Sequence, residues 1–203
     1  MKIRQLALTA VAAFALFGAS QASAQTIGFK VGAAFANVDV DDFDSESLTS
    51  LMGGGFVRFG MGGFGIQPEL LFVTRGYEVE ELGVTGKFKI DYIEVPVLAV
   101  VPIAMGGIAP YLFAGPSFAF KIGCNVEVDD DSEDCGDDDG LKSTDIGATV
   151  GGGLEFPMGP GALLVEGRYN FGLTNISDTE GADAKTRTAA ILAGYSIPLG
   201  PRM

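Results

Sequence analysis

The sequence predicts an all-β protein, an eight-stranded antiparallel up-and-down β-barrel that crosses a membrane. Three observations predict it. First, the stretch Ile66 to Tyr77, IQPELLFVTRGY, alternates strictly: Ile66, Pro68, Leu70, Phe72 and Thr74 share one face, and Gln67, Glu69, Leu71, Val73 and Arg75 share the other. The first face is apolar up to its last residue, and the second carries an amide and two charges. Such a strand sets lipid on one side and a polar interior on the other. Second, stretches of this kind recur along the chain, and the connections between them alternate between long and polar, and short and uncharged. Outer-membrane barrels sort their loops in this way, with short turns at one end and long loops at the other. Third, the N-terminus reads as an export signal. Lys2 and Arg4 precede an apolar run from Leu6 to Phe17, and Ala22-Ser23-Ala24 forms a small-residue cleavage site. Residues 1–24 are therefore read as a signal peptide and 25–203 as the barrel domain.

The elements follow in order. The first strand is expected over Ile27 to Asn37, with Ile27, Phe29, Val31, Ala33 and Phe35 opposite Gly28, Lys30, Gly32, Ala34 and Ala36. An acidic segment, Val38 to Ser50, leads to a second strand over Leu51 to Phe59, where Arg58 faces away from Val57 and Phe59. The glycine-rich Gly60-Met61-Gly62-Gly63 is a short turn. The third strand is Ile66 to Tyr77, followed by a charged connection, Glu78 to Lys87. The fourth strand, Phe88 to Val101, sets Ile93, Val95, Val97, Ala99 and Val101 against Tyr92, Glu94, Pro96 and Leu98. A short uncharged turn, Pro102 to Gly107, opens the fifth strand, Ile108 to Ile122. There Leu112, Ala114, Pro116, Phe118, Phe120 and Ile122 oppose Tyr111, Gly115, Ser117, Ala119 and Lys121.

The longest loop is Gly123 to Ser143. The sixth strand, Thr144 to Phe156, sets Ile146, Ala148, Val150, Leu154 and Phe156 against Asp145, Gly147, Thr149, Gly151, Gly153 and Glu155. The turn Pro157 to Gly161 is short, and the seventh strand, Ala162 to Leu173, carries Glu166, Arg168 and Asn170 on its inner face. After Thr174 to Ala184, the eighth strand runs Lys185 to Leu199 with Ala189, Ile191, Ala193, Tyr195, Ile197 and Leu199 outward.

Composition narrows the function classes. The 13 basic residues less Lys2 and Arg4 leave 11 against 26 acids, a net charge near −15 for the exported chain. That excess speaks against nucleic acid as a partner. The chain has no histidine, so imidazole-activated nucleophiles are excluded. Thirty glycines, about twice the usual ~7%, weigh against a soluble lipocalin-like barrel, whose water-facing side would then be largely bare glycine.

Three segments resemble the family of small outer-membrane β-barrel domains described as PorT-like. They are IQPELLFVTRGYEV (Ile66 to Val79), DYIEVPVLAVVP with APYLFAGPSFAF (Asp91 to Phe120), and VGGGLEF leading into VEGRYNFGLTNI (Val150 to Ile176). The resemblance implies an integral barrel in a bacterial outer membrane, delivered by the barrel-insertion machinery, with no defined chemistry. Ile197 and Leu199 stand on the last strand where such barrels carry aromatics.

Two groups of residues are candidates for a site. The inner faces bring Lys30, Arg58, Glu69, Arg75, Glu94, Glu155, Glu166 and Arg168 into one interior. Eight strands enclose a space that side chains nearly fill, and a lone buried charge is costly, so these groups are expected to pair in a sealing network. The same residues allow a narrow polar path, or a catalytic carboxylate pair of Glu69 and Glu94, which Arg58 and Arg168 would neutralise. The second group is the segment from Cys124 to Cys135 and on to Asp139, with nine acids between Glu127 and Asp139. In an oxidising compartment Cys124 and Cys135 are expected to form a structural disulfide. The acids could hold divalent cations weakly, although the alternating pattern of a calcium loop is absent. No catalytic residue, cofactor or dedicated metal site is expected. The expected partners are membrane lipid and lipopolysaccharide, and the expected state is a monomer.

Overall fold

The computed structural model describes residues 25–40, 46–81, 84–103, 107–128, 131–134, 142–174 and 184–199. The expected signal peptide, Cys135 and residues 129–130 and 136–141 of the acidic loop lie outside them. Among the described residues nine strands form in chain order: β1 (Gln25–Val40), β2 (Glu46–Gly60), β3 (Gly65–Glu81), β4 (Val84–Pro102), β5 (Ala109–Val128), β6 (Asp131–Asp134), β7 (Thr144–Met158), β8 (Gly161–Gly172) and β9 (Ala184–Pro198). Every pairing is antiparallel. Each long strand pairs with the next in sequence, β5 passes directly to β7, and β9 pairs back onto β1 from Thr26 opposite Pro198 to Val40 opposite Ala184. Eight strands thus close the barrel. Closure leaves no sheet edge in the wall, which a bilayer demands because it offers backbone groups no water.

β6 is the ninth strand and stands outside the ring. It pairs with the upper end of β5, Asn125 opposite Asp134 through Val128 opposite Asp131. The expectation of loop throughout this region is thereby corrected. The connection Glu78 to Lys87 needs the same correction, because β3 and β4 stay paired up to Glu81 opposite Val84. The physical reason is the same in both places. Beyond the bilayer both faces of a β-ribbon meet water, so the apolar alternation that reveals a strand disappears while the backbone pairing continues. β4 and β5 reach 19 and 20 residues, roughly twice the ~10 that span a membrane.

The wall is apolar outside and polar within. Phe29 and Ile191 are each 61% exposed and Leu112 57%, while Lys30, Glu94 and Glu166 are at most 1% exposed. This overturns the soluble alternative, which needs the apolar faces inside. At the short-turn end, Gly62 and Gly63 in the β2–β3 turn and Gly159 in the β7–β8 turn have positive φ, which a Cβ would oppose. On the lipid side, Thr74 Oγ1 donates to Asp91 Oδ1 at 2.6 Å across β3 and β4, a polar pair above Phe72 and Ile93.

Some inner glycines let the strands and their rings approach. A Cβ on Gly32 would lie 1.9 Å from the carbonyl oxygen of Ile191 on β9, whereas one on the lipid-facing Gly167 would meet nothing within 4 Å. Gly32→Ala is therefore expected to lower the unfolding free energy by about 1–3 kcal/mol. Gly167→Ala should change it by no more than about 0.5 kcal/mol. Urea titration of the two variants in lipid vesicles checks the contrast.

Candidate functional site: the charged interior

The inner face of β3 sets the plan of the interior. It reads Gln67, Glu69, Leu71, Val73, Arg75, so two polar levels are separated by two apolar residues on one strand. Leu71 and Val73 join Ala34, Met52, Ile90, Tyr92, Ala119, Ala190 and Leu192 in a buried apolar layer. The eight sequence-predicted charges all lie inside, but in two clusters and not one.

The lower cluster is built on Lys30, Glu69, Glu166 and Arg168. Lys30 Nζ lies 2.8 Å from Glu69 Oε1 and 2.8 Å from Glu166 Oε2. Arg168 Nη1 lies 2.8 Å from Glu69 Oε2, and its Nε donates to Glu166 Oε1 at 2.8 Å while Nη2 contacts the same oxygen. Tyr111 donates its hydroxyl to Glu166 at 3.1 Å. Gln67 extends the cluster downward, donating to Glu69 Oε1 and accepting from Arg58 Nε, each at 2.6 Å. Arg58 Nη1 closes the mouth on Glu155 at 2.6 Å, where the two side chains are 17% and 20% exposed. Three cations (Lys30, Arg58, Arg168) thus face three carboxylates (Glu69, Glu155, Glu166).

Aromatic rings carry these cations, and glycines make room for the rings. Gly28 lies opposite Phe56, Gly151 opposite Phe113 and Gly153 opposite Tyr111. A Cβ at any of the three would sit 2.4–2.5 Å from the facing ring. Lys30 Nζ then lies 5.0 Å from the Phe56 centroid, Arg58 Cζ 5.0 Å from that of Tyr111, and Arg168 Cζ 5.5 Å from that of Phe113. Each stack adds cation–π attraction to the ion pair.

The upper cluster centres on Arg75, stacked on Tyr92. Its Nη2 pairs with Glu94 Oε2, and Nη1 lies 3.1 Å from Asp145 Oδ2. Glu94 also accepts from Ser117 at 2.8 Å and from Asn170 at 2.5 Å, and Asn170 accepts from Thr149 at 2.6 Å. Asp145 accepts from Thr186 at 2.7 Å and from Thr174 at 2.8 Å. Here one cation serves two carboxylates, and hydroxyl and amide donors supply the remaining hydrogen bonds. Beside the cluster is a cavity of about 10 Å³ lined by Arg75, Ser117, Asp145 and Asn170, about the room of one water.

Glu69 and Glu94, the carboxylates that adjacent strands allowed to pair, make no contact with each other's cations. Glu94 lies opposite Leu71, one inner position from Glu69, and the two carboxylates hold different cations, Lys30 and Arg168 on Glu69 and Arg75 on Glu94. Arg58 serves neither of them and pairs with Glu155. Sequence reasoning misses Asp145 as a member of the network, although parity sets this residue on an inner face. It also misses the neutral partners Gln67, Tyr111, Ser117, Thr149, Asn170 and Thr186, for which inner parity on their strands is the available signal. Cys124 lies half-buried against the buried apolar layer, and its expected partner Cys135 lies outside the described residues. Among the described residues no cluster of three potential ligands could hold a metal ion.

A closed wall, lipid-facing outside and ion-paired inside, defines an integral outer-membrane β-barrel. The sequence profile of the outer membrane protein beta-barrel domain family matches residues 19–178, and the chain belongs to that family. The protein therefore resides in the bacterial outer membrane. Neisserial surface protein A (NspA) is similar in structure, with a TM-score of 0.53 at 14% identity over 84% of this chain and 96% of that one. The attachment invasion locus protein Ail of Yersinia pestis gives a TM-score of 0.43 at 16% identity over 86% and 99%. The N-terminal β-barrel domain of Pseudomonas aeruginosa OprF gives 0.41 at 11% over 85% and 97%. At these identities the likeness is one of fold. No curated protein sequence matches the chain.

Burial within the lower cluster increases from the mouth inward, and stability should follow. Glu166→Gln strips a carboxylate that is fully buried against Lys30 and Arg168, and is expected to cost about 3–5 kcal/mol. Glu155→Gln at the partly exposed mouth should cost about 1 kcal/mol or less. Reversible unfolding in vesicles, followed by tyrosine fluorescence or circular dichroism, checks the ratio.

Proposed function

We propose that this barrel is a non-catalytic, non-conducting membrane protein whose role is structural and at the cell surface. One observation carries the reading: the interior is filled by paired charges and apolar side chains, with a cavity of only about 10 Å³ beside the upper cluster. A pore needs a continuous wet path, and a catalytic site needs a cleft beside an available acid or base. The absence of histidine and the cation held by each inner glutamate support the non-enzymatic reading.

The strands β4 and β5 rise well beyond the lipid band, so the acidic connections above them are the part of the molecule offered to the outside. We assign Cys124 and Cys135 a disulfide that staples this region. Divalent cations shared between its nine acids and neighbouring lipopolysaccharide phosphates are the partners this charge favours. Within the family, the three motif segments ending at Val79, Phe120 and Ile176 support a PorT-like affiliation. The leader character of residues 1–24 supports export followed by delivery to the barrel-insertion machinery.

Reconstituted in planar bilayers, the full-length barrel is expected to give no stepwise conductance above that of bare lipid. Stable, reproducible steps from the folded protein would favour the passive-transport reading instead.

A further inference from the structure

The lower rim is unlike the upper one. Its three turns are uncharged, and the lack of charge extends far up the strands they join: residues 59–68, 95–120 and 156–165 contain no Asp, Glu, Lys or Arg. The rim is also greasy. Met61, Phe64, Ile103, Ile108, Met158 and Leu199 are 41–57% exposed there. They continue the lipid-facing wall without a break: Phe59 leads to Met61 and Phe64, Val101 to Ile103, and Ile197 to Leu199.

Strand length fixes where this rim falls. On β4 the first polar residue of the outer face is Asp91, paired with Thr74, and the last apolar one is Ile103. They are separated by about 40 Å of strand at ~3.3 Å a residue. With a strand tilt near ~40° this is roughly 30 Å along the membrane normal, against an apolar band of about 25 Å. With Asp91 at the upper border of the hydrocarbon, Ile103 comes to lie about 5 Å below its lower border, within the headgroup layer.

We propose that the lower rim is a lipid-binding surface: its exposed apolar residues, Met61, Phe64, Ile103, Ile108, Met158 and Leu199, are seated in the headgroup layer of the inner leaflet, with phospholipid as their partner, and do not project into the periplasm. Continuity with the membrane-spanning wall and the lack of charge in the three turns argue for lipid over a periplasmic protein. Six exposed apolar side chains in one ring are costly in water and need no other cover when the bilayer supplies it. Tyr195 fits this placement. Its ring packs beside Gly161, and its hydroxyl donates to the Met158 carbonyl at 2.8 Å, an amphipathic aromatic at the level of the turn.

The chain contains no tryptophan, so single tryptophans report without background. Four full-length variants are refolded into phosphatidylcholine vesicles: Phe64→Trp and Ile103→Trp on the rim, Leu112→Trp on the wall, and Lys142→Trp as the water-exposed reference. A heat-shifted gel band confirms that each is folded. The expected result is blue-shifted emission from both rim variants, quenched by dibrominated phosphatidylcholine several-fold more than Lys142→Trp and only weakly by aqueous iodide. Rim emission that matches Lys142→Trp, with iodide quenching and little effect of brominated lipid, overturns the proposal and leaves the rim open to a periplasmic partner. Should Phe64→Trp not fold, Ile103→Trp decides the matter alone.

Discussion

The Lys30 ammonium has only one place to put its charge. The outer side of its strand faces lipid, the inner side faces a packed lumen, and the group is 1% exposed. Desolvating an ammonium costs several kcal/mol unless opposite charges meet it at close range. Glu69 and Glu166 do so, and neither lies on a strand adjacent to β1. The contact therefore spans the lumen and ties β1 to β3 and β8. Arg168 completes the ring by meeting the same two carboxylates. Moving any of these strands by one residue would turn its charge outward into lipid, so the network penalises every wrong register.

The rest of the interior serves that arrangement. Rings of Phe56, Phe113 and Tyr111 line the cations, and each ring lies over a glycine on the neighbouring strand. A side chain at Gly28, Gly151 or Gly153 would displace the ring and, through it, the cation. The upper cluster solves a harder problem, because Arg75 must satisfy both Glu94 and Asp145. Ser117, Asn170, Thr174 and Thr186 supply what a second cation otherwise would. Between the clusters, Leu71, Leu192 and Met52 keep the two levels apart.

Much of this is legible in the sequence, for a reason that also marks where legibility stops. Lipid on one side of the wall enforces a strict period of two, so parity alone places Lys30, Arg58, Glu69, Arg75, Glu94, Glu155, Glu166 and Arg168 inside. Above the membrane the constraint vanishes. Val84 to Lys87, Asn125 to Val128 and the whole of β6 are charged or mixed and read as loop, yet their backbones pair. Nor can parity say which charge meets which, because partners such as Lys30 and Glu166 are set by barrel stagger across the lumen. Asp145 stands near the start of its strand beside an acidic stretch, where a carboxylate reads as solvated. The neutral partners escape notice because hydroxyls and amides carry no charge to demand a partner.

The central claim is that the lower cluster acts as one cooperative unit holding the barrel closed. A double-mutant cycle on Glu69→Gln and Arg168→Met, with unfolding free energies measured in vesicles, tests it directly. If the groups share one network, the double variant is destabilised less than the sum of the singles, with a coupling of about 1–3 kcal/mol. Additivity within about 0.5 kcal/mol would mean that the two side chains are independent, and the account of a barrel organised around its buried charges would fail.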